Sequence, residues 1–165
     1  MKKLLMIVIA MLAISAFGLA QAPFSSTANL PSNVYAAGLS GNTVGSPAIG
    51  GTAAWGSLVS ATTNTYSFTA LDLLPGAGGV ASTNISTGIA QNVASFTISG
   101  KTIALYVPVT AGLNVQAANP TWTWTGGAVA FIPIKGSWML APVVRFAKQP
   151  NGYSMMPGLM IAWGQ

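Results

Sequence analysis

The chain has 165 residues, of which 4% are charged and 52% are hydrophobic, with a formal net charge of +5. It contains no cysteine, histidine or glutamate, and its one acidic residue is Asp72. This composition excludes disulfides, thiolate or imidazole metal sites, a Ser-His-Asp relay and the paired carboxylates of glycosidases. Soluble domains carry roughly 25% charged residues, and disorder requires low hydrophobicity. We therefore expect the chain to fold, or to insert into an apolar phase.

A leader typical of secretion opens the chain. The basic pair Lys2-Lys3 precedes an apolar run over residues 4–17, and the small residues Gly18, Ala20 and Ala22 follow. This order predicts a secretory signal peptide, cleaved after Ala20 or, as the alternative, after Ala22. An uncleaved anchor helix is the other interpretation, although the run is at the short end for crossing a bilayer.

The predicted organisation has three parts. Residues 1–20 are the signal peptide, 21–32 an extended polar tail, and 33–165 a β domain. Within the β domain no segment shows a helical apolar stripe, and clusters of glycine, asparagine and proline recur at short intervals. The predicted strands are approximately 33–40, 48–60, 65–74, 85–98, 102–116, 121–134, 138–148 and 153–164.

The clearest strand covers residues 102–116, where bulky apolar side chains alternate with small or polar ones. The bulky face carries Ile103, Leu105, Val107, Val109, Ala111, Leu113 and Val115. Residues 138–148 and 153–164 show the same alternation. A run of fifteen residues exceeds the usual five or six of a soluble strand and the nine to eleven that cross a bilayer at a tilt. The faces that would carry Lys and Glu in a soluble sandwich carry Leu, Ile and Val.

These observations predict an all-β fold, an antiparallel up-and-down transmembrane β-barrel of about eight strands. Its connectors alternate between longer and shorter, as extracellular loops and periplasmic turns do, which places Lys101 and Lys135 in periplasmic turns.

Two kinds of irregularity are expected in the strands. The alternation in 121–134 changes phase near Gly126-Gly127, which indicates a bulge or a misplaced boundary. Prolines within strands lack an amide donor and predict further bulges; they are Pro108, Pro133, Pro142 and Pro157.

Two charged residues are candidates for a site inside the barrel. Arg145 falls on the lumenal face, and Asp72 is expected there too, because a basic residue on the lipid face costs about 2–4 kcal/mol near the bilayer midplane. We predict an ion pair between them, with a position of both near the aqueous rim as the alternative.

Aromatic side chains near strand ends predict the girdles at the two membrane interfaces; they are Tyr66, Trp122, Trp124, Trp138, Tyr153 and Trp163.

With its leader and long alternating strands, the chain resembles the small eight-stranded outer-membrane barrels of Gram-negative bacteria over residues 33–165. The ending over 158–165 carries the likeness too, although such proteins usually finish on an aromatic residue that the barrel-assembly machinery reads. Here the last residue is Gln165 and the last aromatic is Trp163. The resemblance implies outer-membrane lipid and that machinery as partners.

The predicted function is a non-enzymatic outer-membrane barrel with a structural or interaction role and no open pore. We expect no cofactor and no metal. The basic residues are scattered along the chain and therefore indicate no nucleic-acid partner. A secreted or surface β-sandwich acting as an adhesin or coat subunit is the first alternative. A soluble lipocalin-type carrier is the second, and it requires bulky apolar residues inside and polar residues outside.

Overall fold

The computed structural model describes residues 31–42, 48–75, 81–115, 120–149 and 152–165, and the predicted leader and most of the predicted tail lie outside them. The described chain forms eight strands. They are β1 (Asn33–Asn42), β2 (Ala48–Ser60), β3 (Thr65–Pro75), β4 (Ala81–Ile98), β5 (Lys101–Val115), β6 (Thr121–Lys135), β7 (Trp138–Gln149) and β8 (Gly152–Gly164). The predicted strands agree with these to within two residues, except that β4 begins at Ala81 and not near residue 85.

Each strand pairs antiparallel with the next, and β8 pairs with β1, so the sheet closes into a barrel. The predicted fold class is confirmed, and the β-sandwich alternative is wrong because the sheet closes on itself. We call the end that holds Asn33 and Gly164 the turn end and the opposite end the loop end. Among the described residues no helix has the length and apolar character needed to span a bilayer.

The alternation predicted for β5, β7 and β8 is confirmed. On β5 the inward Ala104, Tyr106 and Thr110 are buried, whereas the outward Val109 is 52% exposed. Large apolar side chains cover the outside of the barrel all the way round, including Leu39, Ile49, Leu73, Ile89, Val109, Ile134, Phe146 and Leu159. This orientation is the reverse of the one that the lipocalin-type alternative requires.

The phase change predicted at Gly126-Gly127 is wrong. β6 keeps one register with β5 from Phe131 to Thr121, and one register with β7 from Trp124 to Pro133. The misreading has a physical cause. The half of the lumen toward the turn end is itself apolar, so inward Val129 and Phe131 are bulkier than outward Ala128 and Ala130, and the contrast between the two faces is reversed.

The ladder shifts instead at three places, between Leu58 and Ser60, between Asn92 and Ala94, and between Pro133 and Lys135. Each lies toward the turn end of its strand. The shift in β4 changes which residues face outward, so Ile85 and Ile89 are exposed before it and Phe96 and Ile98 after it.

Three of the four strand prolines do not produce the predicted bulges. Pro133 borders a register shift, but Pro142 and Pro157 lie in unbroken pairing of β7 with β8. Pro108 interrupts the β5–β6 ladder between Tyr106 and Val109 without changing its register. A proline in a strand removes one donor while its φ stays close to extended values, so a long ladder absorbs the loss locally.

Two substitutions on the outer face of β5 test whether the barrel is surrounded by lipid. Val109→Arg places a charge near the middle of the apolar band and is expected to lower the free energy of unfolding by about 2–4 kcal/mol in lipid vesicles. Val115→Arg, on the same face at the loop end, is the matched control and is expected to cost about 0–1 kcal/mol. Equal costs at both positions, measured by denaturant titration, would contradict a membrane-spanning β5.

Candidate functional site

The interior of the barrel is divided into two layers. Most polar inward side chains lie within five residues of the loop end of their strands, and the half toward the turn end is mainly apolar. The polar layer comprises Ser40, Thr52, Asp72, Ser82, Asn84, Ser86, Thr110, Asn114, Thr123, Thr125, Arg145 and Ser154. Together they draw on all eight strands. The layer can form because every second residue of a β-strand points to the same face of the sheet, which here is the lumen.

An ion pair between Asp72 and Arg145 is the centre of the polar layer. Arg145 Nη2 donates to Asp72 Oδ1 at 2.6 Å, and Nη1 donates to Oδ2 at 2.9 Å. The contact is therefore bidentate, the geometry that matches a guanidinium to a carboxylate best. Asp72 is 0% exposed and Arg145 7%, so the pair connects β3 to β7 across the lumen and not at the aqueous rim.

Neighbouring side chains form further hydrogen bonds with the pair. Thr52 Oγ1 donates to Asp72 Oδ1 at 2.7 Å, and Asn84 Nδ2 donates to Oδ2 at 3.4 Å. Arg145 Nη2 also donates to Ser40 Oγ at 3.1 Å. Thr123 Oγ1 donates in turn to Asn84 Oδ1 at 3.0 Å. A buried ion pair is tolerated only when such additional bonds offset its desolvation.

Two further hydrogen bonds extend the layer across β4, β5 and β6. Ser82 Oγ donates to Asn114 Oδ1 at 3.0 Å, and the hydroxyls of Thr110 and Thr125 bond to each other. The resulting network fills the loop half of the lumen with paired polar groups.

Aromatic rings organise the apolar layer. Tyr106 is 1% exposed and meets Tyr66 and Phe131 edge to face, with ring centroids 5.8 and 5.6 Å away. Tyr66 is 5% exposed, faces inward, and its hydroxyl donates to the Pro31 carbonyl at 2.8 Å. The prediction that Tyr66 belongs to the outer interface aromatics is therefore wrong. A tyrosine near a strand end suits the lumen as well as the interface, because both offer its hydroxyl a polar partner.

A cavity of about 90 Å³ lies in the apolar layer beneath the ion pair. Its walls are mainly small or aromatic residues, and Thr52 and Arg145 bound it on the polar side. Two of the lining residues, Tyr106 and Arg145, each carry a buried polar atom, Oη and Nε respectively, that has no hydrogen-bond partner among the described residues.

The other five predicted interface aromatics lie on the outer surface in two groups. Trp122, Trp124 and Tyr153 are exposed near the loop end. Trp138 and Trp163 lie near the turn end with ring centroids 5.7 Å apart, and Tyr35 stacks on Trp163 at 5.7 Å.

The spacing of the two groups fits a bilayer. Tyr153 and Trp163 lie ten residues apart on β8, which is about 33 Å along the strand at roughly 3.3 Å per residue. At a tilt of about 35–45° the separation becomes about 25 Å, the height of the apolar band on a transmembrane barrel.

Comparison with known proteins identifies solved structures of similar fold. No family model matches the chain, and neither does any curated protein. Among solved structures, the outer membrane protein Ail of Yersinia pestis in a phospholipid bilayer nanodisc has a TM-score of 0.55 and 10% identity over 81% of this chain and 98% of that chain. A de novo designed transmembrane β-barrel has a TM-score of 0.54 and 17% identity over 81% of this chain and 95% of the design.

This chain has the fold of the small eight-stranded outer-membrane β-barrels. At such low identity the likeness concerns the fold alone, so the chemistry of the barrel must be argued from its own residues. Both carboxylate oxygens of Asp72 are engaged by Arg145, and the described residues contain no cluster of three potential metal ligands.

Sequence reasoning singled out Asp72 and Arg145 but missed their partners Ser40, Thr52 and Asn84. The sequence did contain a signal for these partners. Each partner occupies an inward position close to the loop end of its strand, as the two charged residues do. Without the strand register there was no means of showing that these positions lie at one level.

Removal of either member of the ion pair is expected to destabilise the barrel strongly. Asp72→Asn leaves a buried guanidinium without its counter-charge, and Arg145→Met leaves a buried carboxylate, so each lowers the free energy of unfolding by about 3–5 kcal/mol. The double variant Asp72→Asn, Arg145→Met is expected to lose much less than the sum of the single losses, because no charge remains buried.

Denaturant unfolding of the four proteins in lipid vesicles gives the coupling energy. Lys148→Gln is the control, since Lys148 lies on the same strand as Arg145 but is exposed, and it is expected to change stability by less than about 0.5 kcal/mol. Additive losses in the cycle would show that the pair does not act as a unit.

Proposed function

We propose that this chain is an exported outer-membrane barrel that has no enzymatic activity, does not form an open pore, and serves the envelope through a structural or interaction role. The apolar outer surface bounded by two aromatic groups carries the proposal. The likeness of the fold to Ail, whose structure was determined in a phospholipid bilayer, supports the location.

Export by the leader belongs to the same proposal. Cleavage after Ala20 would release residues 21–165, and the barrel-assembly machinery would insert the chain using its last strand. β8 supports this role because it carries an outward aromatic, Trp163, and closes the sheet against β1.

The lack of enzymatic activity is supported by what the interior offers. Histidine, cysteine and glutamate are absent from the sequence, and the one carboxylate is buried and bound to Arg145. General acid–base catalysis requires a titratable group within reach of a substrate, and Asp72 is 0% exposed. The remaining surfaces available to a partner are therefore the outside of the barrel and its two ends.

A closed lumen is supported by the packing of the barrel. Eight strands leave an interior just wide enough for side chains, and here a polar layer and an aromatic layer both cross it. Arg145 spans from β7 to Asp72 on β3 and contacts Ser40 on β1.

Gel mobility tests the proposed location and fold in the cell. The outer-membrane fraction, loaded in SDS without boiling, is expected to give a band that migrates faster than the same sample after boiling, because a closed barrel resists SDS until heated. The intact mass of the purified protein should correspond to a chain beginning at Gln21. A variant lacking residues 2–20 is the control and is expected to stay in the cytoplasm without a heat-dependent shift. Recovery of the full-length chain from the soluble periplasm would contradict the proposal.

Ionic conductance tests the closed lumen separately. The purified barrel in a planar lipid bilayer is expected to produce no regular current steps above the bare membrane, because paired side chains fill its interior. A sixteen-stranded porin in the same bilayer is the positive control. Reproducible steps from this chain that scale with salt concentration would show an open pore.

A further inference from the structure

We propose that the outer surface at the turn end binds the phosphate headgroup of one anionic phospholipid through Lys101 on β5 and Lys135 on β6. The inference rests on the membrane location proposed above. Three observations carry it: the two lysines lie on adjacent strand ends, the chain provides no acidic partner for them, and a row of aromatic side chains continues from Lys135 around the barrel.

The two lysines lie together at the border of the barrel. Lys101 begins β5 and Lys135 ends β6, and both side chains are exposed. Lys101 Nζ donates to the Ile134 carbonyl at 3.4 Å, so its ammonium group lies against the residue that precedes Lys135. An ammonium group has three donors, and Lys101 therefore keeps two for a ligand. Because adjacent strands are about 4.8 Å apart, both ammonium groups can reach one phosphate.

The chain has no carboxylate side chain that could neutralise these lysines. Its single acidic residue is Asp72, which is 0% exposed and paired with Arg145 inside the lumen. Two positive charges on adjacent strand ends repel each other. An anion from the surroundings of the barrel removes this repulsion, and phosphate groups are the anions that a membrane surface offers.

A row of aromatic side chains sets the depth of the site in the membrane. Lys135 lies opposite Trp138 in the ladder, Trp138 opposite Trp163, and Trp163 opposite Tyr35. Directly opposed residues of an antiparallel pair lie on the same face, so Lys135 points outward with Trp138, which is 52% exposed. Tryptophan and tyrosine are favoured at the level of lipid headgroups. Lys135 therefore lies where phosphates are found.

The outer surface beside the lysines suits a lipid better than a free anion. Ile134, next to Lys135, is 49% exposed, and the outward face of β5 continues from Lys101 to Val107 and Val109, which are 37% and 52% exposed. Acyl chains can cover these residues while the headgroup stays at the lysines. Lysine side chains commonly lie along apolar surface with the ammonium group in the polar region.

The number of lysines favours a headgroup with a net negative charge. Basic residues close to a membrane surface attract anionic lipids, whereas a zwitterionic headgroup brings a cation of its own. The loop end offers a comparison within the same molecule. Lys148 lies there between Trp124 and Tyr153 in the ladder and is the one exposed lysine described at that end. It therefore serves as a single-lysine control.

Lysine NMR of residues 21–165 in lipid nanodiscs tests the site. Lysine labelled with ¹³C at Cε leaves the ammonium group intact, and the chain from residue 21 onward contains three lysines, Lys101, Lys135 and Lys148. Phosphatidylglycerol replaces phosphatidylcholine in steps. The signals of Lys101 and Lys135 are expected to shift together and to saturate, while the Lys148 signal changes gradually with the overall surface charge.

Two substitutions test whether the lysines share one headgroup. Lys101→Gln is expected to raise the fraction of phosphatidylglycerol that half-saturates the Lys135 signal by about 5-fold. Lys148→Gln, the matched control at the opposite end, is expected to leave that fraction unchanged. Both positions are exposed, and a heat-dependent gel shift shows that each variant is folded.

Three results would overturn the proposal. All three lysine signals shifting in parallel without saturation would show a response to surface charge only. An unchanged half-saturation of Lys135 in Lys101→Gln would show that the lysines do not share a headgroup. Saturation of both signals by inorganic phosphate in pure phosphatidylcholine discs would show a site for soluble anions.

The same samples keep this site separate from the proposed location. Folding in phosphatidylcholine discs, seen as a heat-dependent gel shift, tests the membrane barrel by itself. A folded barrel without saturable lysine signals would overturn the lipid site and leave the barrel and its proposed location standing.

Discussion

Closure of the sheet between β8 and β1 is the constraint on which the other features of the molecule depend. In hydrocarbon no water is present to satisfy an open strand edge, so every backbone donor and acceptor must find a partner within the sheet. Pairing of β1 with β8 completes the ladder from Val34–Gly164 to Ser40–Gly158. Once the barrel is closed, alternate residues along a strand point either to lipid or to the lumen. Each strand must therefore have one face suited to lipid and one face suited to the lumen.

The lumen shows how the chain meets this constraint on the inside. Eight strands enclose a volume that side chains must fill, and the filling is divided along the axis. The loop half contains the bidentate pair of Asp72 and Arg145 with its hydroxyl and amide partners, and the turn half contains packed rings around Tyr106. The cavity lies where these two halves meet, because a guanidinium that reaches across to β3 cannot also fill the space beneath it.

The constraint on the outside of the barrel is simpler. Large aliphatic side chains cover the middle, and aromatic residues lie toward both ends, where amphipathic rings are favoured at a membrane interface. The three register shifts lie toward the turn ends of their strands. A missing ladder bond costs less near a membrane interface than in the middle of the apolar band.

The sequence by itself determined what depends on local periodicity: the number of strands, their approximate bounds, and the outward faces of β5, β7 and β8. It was misleading where the contrast between the faces is reversed, as on β6, where inward Val129 and Phe131 are bulkier than outward Ala128 and Ala130. Only the tertiary structure decided which inward residues meet, because contacts across the lumen depend on the register of all eight strands together. The inward position of Tyr66, the hydrogen bonds of Ser40, Thr52 and Asn84 to the ion pair, and the cavity beneath it all follow from that register, which no single segment encodes.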